Sequence, residues 1–427
     1  MPANAMSQHA IVLAGNGANA AYEVGVMKAL LREACAHNNK RPLDPEIYSG
    51  TSVGALNAAV MASRADQSAG AAVEFLEKLW VERIASSVRT SNGIFRVRGG
   101  IDNFVNPAYY MPNPLQPLLD LAVDSVYLLY EVFRRAGHLI GSGEILAPRG
   151  RNFFDVSTWI DPSPLVNFAD FSTLIDLSPL ERLVHEAIDT SKISLSKRAL
   201  RITAMDWEKS LSQAFGNADL EGEDGYRKII AAIAIPGVLP SQTIDDHRLV
   251  DGAVLVNEPL KPAIAARDPQ ASEGLTLHVI YLDPEFAESY PPKVPDTFYT
   301  IYRLYILAFA RSMNADIERV REINERLFLR AVMRNPEPSD AASEFEQDSR
   351  VLLPLLEGFN RGLTDKVSVT VHRYRCRRNL GPTLGLLNFQ RYHIEELISA
   401  GYRDAQKHDC KESQCLLPTG NPTDYQP

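Results

Sequence analysis

"LAGNGANAAYEVG", Leu13–Gly25, follows the short apolar run Ala10–Leu13, and its reading decides the fold. An apolar run, a glycine-rich segment and an apolar-periodic stretch predict a strand, a tight turn and a helix. Gly15, Gly17 and Ala20 fit G-x-G-x-x-[GA], a pattern that can seat a dinucleotide pyrophosphate at a helix N-terminus. That use also needs an acidic residue near the end of the next strand, for a ribose hydroxyl. The next strand, read at Glu46–Ser49, runs instead into Gly50-Thr51-Ser52-Val53-Gly54, and the acids Asp44 and Glu46 stand before or at its start.

That pentapeptide is G-x-S-x-G, the nucleophile elbow. A serine on a sharp strand-to-helix turn is thrust above the sheet edge, and the strained backbone needs the small neighbours Gly50 and Gly54. The positive end of the helix read over Ser52–Ser63 favours a developing alkoxide there. The pattern alone is also met by ordinary glycine-rich turns; its place between a strand and a helix gives it weight. Acyl transfer further requires donors aimed at the tetrahedral oxyanion, which backbone N–H groups of a glycine-rich loop can supply. The Gly15–Ala20 loop ends the first strand of the same sheet, so it is expected to hold a transient oxyanion rather than a pyrophosphate.

The chain has 427 residues, 45% apolar and 23% charged, enough for a large core or for two to three ordinary domains. A net charge of -9 argues against a general nucleic-acid binder and gives no overall attraction to anionic membranes. Cys35, Cys376, Cys410 and Cys415 are too scattered for a disulfide framework and suit reduced thiols in a cytosol. Cys410 and Cys415, with His408 beside them, could ligate a metal, but their spacing matches no standard pattern and they lie in a polar tail. The N-terminal ten residues lack the basic and apolar regions of a signal peptide, and Leu118–Phe133, the most apolar long stretch, is too short to span a bilayer and carries Asp124 and Glu131. A cytoplasmic protein, with peripheral membrane contact, is expected.

A β-α-β-α order over residues 10–64 implies an α/β domain with a parallel sheet. Residues 90–165 interrupt it with Pro, Asn, Gly and aromatics around an amphipathic helix bearing Tyr130 and Phe133, read either as a helix packed on the core or as a lid or lipid-docking insertion. Further strands are read in "ALRITAMDW", "RLVDGAV", "GLTLHVIYLD" and "DKVSVTVHRYR", and helices at Ser178–Pro179 onward, in "YRKIIAAIAIPGVLP", over 296–334 and in "RYHIEELISAGYRDAQ". The expected division is a tail over 1–9, a hydrolase domain over 10–290, a mainly helical region over 291–409 and a disordered tail over 410–427. Tyr22 and Trp207 are expected in or near the core.

The serine needs a proton acceptor. Of nine histidines, His247 in "TIDDHRLVDG" has acids nearby and would serve a triad-like esterase. Asp251 in "LVDGAVLVNEP" follows a strand-like segment and precedes Gly252, which permits close backbone approach. A partly desolvated carboxylate held against the hydroxyl can also act as base. A carboxylate base predicts activity lost only at acid pH, without a step near neutrality.

Taken together, "GNGANA", "GTSVG" and "DGA" resemble, in order, the oxyanion loop, elbow and aspartate turn of the patatin-like phospholipases. "AAYEVGVMKAL" and the run from "AAIAIPGVLP" to "NEPL" resemble the family's helix after the loop and its run into the aspartate turn, and "LLNFQRYHIEELISAGYRDA" resembles a terminal helix of many bacterial members. The resemblance implies a three-layer α/β fold, with a mostly parallel central sheet flanked by helices and a mainly helical C-terminal extension. It implies a serine lipid acyl hydrolase of phospholipase A or esterase type, with Ser52 as nucleophile and Asp251 as base. Gly15, Asn16, Gly17, Ala18 and Val53 would form the oxyanion hole, supported by Ala20, Gly50, Gly54 and Gly252. A lipid or phospholipid substrate is implied; no metal and no other cofactor is. Asn19 stands where the family usually has Arg or Lys, and Ala20 where it has Gly. These departures leave a catalytically weak lipid-binding or scaffold protein as an alternative.

Overall fold

The computed structural model describes residues 8–33, 41–86, 177–236, 239–269, 274–282, 316–327, 367–376 and 388–417. The expected insertion over 90–165, with Tyr130 and Phe133, lies outside the described residues.

Strand β1 (Gln8–Leu13) leads through a 3-10 turn (Gly17–Ala20) into α1 (Ala21–Arg32). Strand β2 (Ile47–Thr51) leads into α2 (Val53–Ser63), followed by α3 (Ala69–Leu79). Helices α4 (Ser178–Ala187) and α5 (Thr190–Ser194) precede β3 (Ala199–Asp206), β4 (Leu211–Gly216) and α6 (Gly222–Ile233). Strands β5 (Gln242–Ile244) and β6 (His247–Asp251), helix α7 (Leu260–Ala265) and β7 (Leu275–Tyr281) come next. Helix α8 (316–327), β8 (Val369–Arg375) and α9 (Arg391–Gln406) complete the described elements.

All eight strands form one sheet. Strands β3, β2, β1, β7 and β8 run parallel in that spatial order, while β4 and β6 pair antiparallel with β3. Both faces are covered, as a parallel sheet requires. In β1, Ile11 and Leu13 enter the core beneath α1 and α2; the alternate residues Ala10 and Val12 enter a second core with Leu260 of α7 and Ile317 of α8. This is the expected three-layer architecture.

The region beyond residue 366 contributes to the sheet itself. β8 pairs with β7 over its full length, so the C-terminal part adds a strand to its helices. α9 crosses α1 at backbone contact. A Cβ on Gly25 would stand 1.9 Å from the Ile398 carbonyl oxygen, and one on Gly401 would stand 2.1 Å from that of Tyr22. Tyr22 is buried as expected and donates to Asp404 (3.1 Å). Trp207 is not a core residue: it follows β3 at the turn into β4 and is 46% exposed. The expected tail from Cys410 is also held in place, as far as Leu417, because Leu416 pairs with Val371 on the outer edge of β8.

Candidate active site

β3 explains how two residues almost two hundred positions apart in the chain meet. A strand has two edges, and β4 occupies one of them from Arg201 to Asp206. β2 and β6 therefore share the other. β2 pairs along it as far as Thr51↔Thr203, and β6 takes over at Ala204↔Asp251. Ser52 is the residue at which β2 turns away, and Asp251 is the residue that occupies the adjoining place. Both are buried.

The turn at Ser52 is strained. Its φ of 53° and ψ of -134° lie where only glycine is comfortable. The surrounding glycines are required by contact: a Cβ on Gly50 would lie 2.3 Å from the Gly54 carbonyl oxygen, and one on Gly54 would lie 2.6 Å from that of Ala14. The chain can fold back on itself this tightly only without side chains there. Ser52 precedes the first turn of α2, where the Val53 amide has no carbonyl behind it in its own helix.

Asp251 is fixed at both backbone and side chain. Its N–H donates to the Ala234 carbonyl (2.9 Å), and its Oδ1 accepts from the Ala253 amide (2.9 Å). Burial pushes the carboxyl up to about 7, against the opposing pull of the facing Ser52 hydroxyl and the Ala253 amide. Although Ser52 faces the carboxyl, no donor among the described residues makes a hydrogen bond of full geometry to Oδ2. Such contacts commonly tighten only when substrate is bound.

The glycine loop lies directly over the serine. A Cβ on Gly15 would fall 2.3 Å from the Ser52 Cβ. The Gly15 N–H, expected to aim at an oxyanion, donates instead to Asn257 Oδ1 at 2.9 Å, and so anchors the loop. The Asn16 side chain donates to the Leu282 carbonyl (3.2 Å). Gly17, at φ 52°, and Ala18 begin the 3-10 turn, where amides have no partner behind them in the turn. Asn19 and Ala20 are buried.

Three buried residues that hold the glycine loop and its flanking helices escaped sequence reasoning. Asn257 stands six residues after Asp251 and two before Pro259, with no sequence signal that marks it. The others are Glu23 of α1 and Asn57 of α2, both buried. Asn57 Nδ2 donates to Glu23 (2.8 Å) and to the Ala20 carbonyl (3.3 Å), while its Oδ1 accepts from the Trp80 indole (2.8 Å). Burial raises the Glu23 carboxyl well above the usual carboxylate range, with Asn57 pulling it down. The network ties the end of the glycine loop to the helix behind Ser52. Asn57→Ala removes one of the Glu23 carboxyl's donors and the acceptor of the Trp80 N–H, and should cost about 1–3 kcal/mol; a lower urea midpoint at unchanged m-value is the expected reading.

His247 lies at the opposite end of β6 from Asp251, four residues and about 13 Å away along the strand. Its Nδ1 meets Asp206 at 2.8 Å, and its side chain is 40% exposed.

The glycine loop, the strained serine turn and the facing aspartate occur on a chain whose residues 11–264 match the family described as patatin-like phospholipase. The chain belongs to that family, and membership implies lipid acyl hydrolase activity on a lipid substrate. No curated protein matches it. Among solved structures it is similar to VipD from Legionella pneumophila, at 11% identity and a TM-score of 0.35, covering 95% of this chain and 67% of that one. Among the described residues, no helix is long and apolar enough to cross a membrane.

Proposed function

We propose that the protein cleaves carboxylic ester bonds of lipids through a Ser52–Asp251 dyad and an acyl-enzyme intermediate. The observation that carries this reading is the adjoining register of the two residues on one edge of β3. The Asp251 carboxylate takes the Ser52 hydroxyl proton as Oγ attacks the ester carbonyl. The oxyanion is met by the amides of Gly17, Ala18 and Val53, with Asn16 shaping the loop. Collapse breaks the ester C–O bond, and Asp251 returns the proton to the departing alcohol. Water, deprotonated by the same carboxylate, then attacks the acyl carbonyl; the acyl–Oγ bond breaks, the fatty acid leaves and Asp251 returns the proton to Ser52 Oγ.

The position of His247, against Asp206 at the far end of β6, favours Asp251 over it as the base. Labelling with a fluorophosphonate, followed by peptide mapping, tests the nucleophile: modification at Ser52 is expected, and an unlabelled folded protein favours a lipid-binding scaffold. A panel of short esters, long-chain esters and phospholipids then defines the substrate.

The buried aspartate revises the expected pH dependence. With its carboxyl at about 7, kcat/KM should rise with pH through neutrality rather than only at acid pH. A step near 7 therefore does not distinguish aspartate from histidine. The temperature dependence of that step does, because carboxyl ionisation carries little enthalpy and imidazolium ionisation carries much. A nearly temperature-independent midpoint is expected.

A further inference from the structure

Away from the proposed dyad, on the outer edge of the sheet, four side chains converge. His372 comes from β8, and His408, Cys410 and Cys415 come from the segment that follows α9. One potential ligand atom from each lies within 4.8 Å of all the others. The individual contacts are closer: Cys410 Sγ is 3.5 Å from His372 Nδ1 and 3.7 Å from His408 Nε2, and Cys415 Sγ is 3.4 Å from the same His408 nitrogen.

A tetrahedral zinc with bonds of ~2.3 Å to sulfur and ~2.0–2.1 Å to nitrogen has S···N edges of about 3.5 Å. The three measured separations fall around that edge. The two imidazoles lie nearly perpendicular, at 78°, so they approach a common point from different directions.

The surroundings are those of a metal-ligand shell. His408 presents Nε2 to both sulfurs, while its Nδ1 faces Ser413 Oγ at 3.4 Å, an oxygen able to accept the Nδ1 proton when Nε2 ligates. The Arg373 amide donates to Cys415 Sγ (3.3 Å), an arrangement that a metal-bound thiolate can accept. His372 is held by stacking on His278, with centroids 5.3 Å apart. The turn between the cysteines is closed by the Cys415 amide on the Cys410 carbonyl (2.9 Å) and by Asp409, which caps the Lys411 and Glu412 amides.

We infer that His372, His408, Cys410 and Cys415 form a structural zinc site that staples the segment after α9 to the edge strand β8. Two thiolates and two neutral imidazoles match the charge and softness of Zn²⁺. With four protein ligands the site is closed, so it serves folding rather than catalysis. It also covers an edge strand that would otherwise be open to pairing.

The test uses the full-length reduced protein. Zinc analysis should find one equivalent per chain, and cobalt substitution should give the intense ligand-field bands of a tetrahedral thiolate site. Cys410→Ser and Cys415→Ser should each lose stoichiometric binding; Cys376→Ser, outside the cluster, should keep it. Removing the metal from wild type with a chelator should lower the melting temperature and raise hydrogen exchange over 408–417, reversed by added zinc. The cobalt spectrum of wild type decides the matter even if a variant fails to fold. Absence of zinc and of that spectrum in folded, reduced wild type would overturn the assignment, as would full binding in both cysteine variants.

Discussion

Ser52→Ala should reduce kcat/KM on any ester substrate by about a millionfold, the scale seen when a hydrolase loses its nucleophile. The remaining rate over water would come from the oxyanion donors and substrate binding, which the change leaves in place. Alanine keeps the same Cβ beneath Gly15, so the fold should persist; retained turnover in that folded variant would reject the dyad. Ser52→Gly offers an internal control. It should be equally inactive, yet about 1 kcal/mol more stable than the alanine variant, because glycine accepts φ 53° without strain. Denaturant titration of the two variants measures the difference.

Asp251→Asn should lower kcat/KM by about 10²–10⁴ through loss of the base. It should also change stability in a pH-dependent way. Burial raises the Asp251 carboxyl to about 7, so the folded state holds a proton that the unfolded chain releases near pH 4. Stability from this group is fully present below about pH 4 and is lost as pH rises through about 7. Asparagine carries no charge at any pH. The variant should therefore melt above wild type at pH 8, with the advantage shrinking towards pH 4. A variant no more stable at pH 8 than at pH 4, relative to wild type, would mean that the aspartate is not desolvated. Replacing His247 with Ala should cost little activity.

The frame was legible in the sequence wherever the signal is local. Ala10–Leu13 is apolar on both faces, the glycine loop and elbow punctuate two strand-to-helix turns, and Ser178–Pro179 opens a helix. β4 was not legible. In "LSQAFG" the first four residues are exposed, so no hydrophobic alternation marks it. Its consequence is large, since by filling one edge of β3 it forces β2 and β6 onto the other and so brings Ser52 to Asp251. Trp207 was misread because an aromatic beside a strand usually packs inward, whereas here the strand has already reached the surface. The Glu23–Asn57–Trp80 network and the anchoring of Gly15 by Asn257 depend on tertiary contact alone. The cluster at Cys410 and Cys415 lacked a recognisable spacing because His372 comes from a strand on the far side of α9.

The contact of Gly25 with the α9 backbone carries a consequence for how the protein comes into being. Synthesis delivers α1 first and Gly401 near the end of the chain. Until then the helix that follows the glycine loop has one bare flank, although β8, over Val369–Arg375, has already been made. A nascent chain halted before residue 388 already holds Ser52, Asp251 and every loop amide, but not the helix that packs behind them. Packing of α1 on its full set of neighbours is therefore completed only at the close of translation.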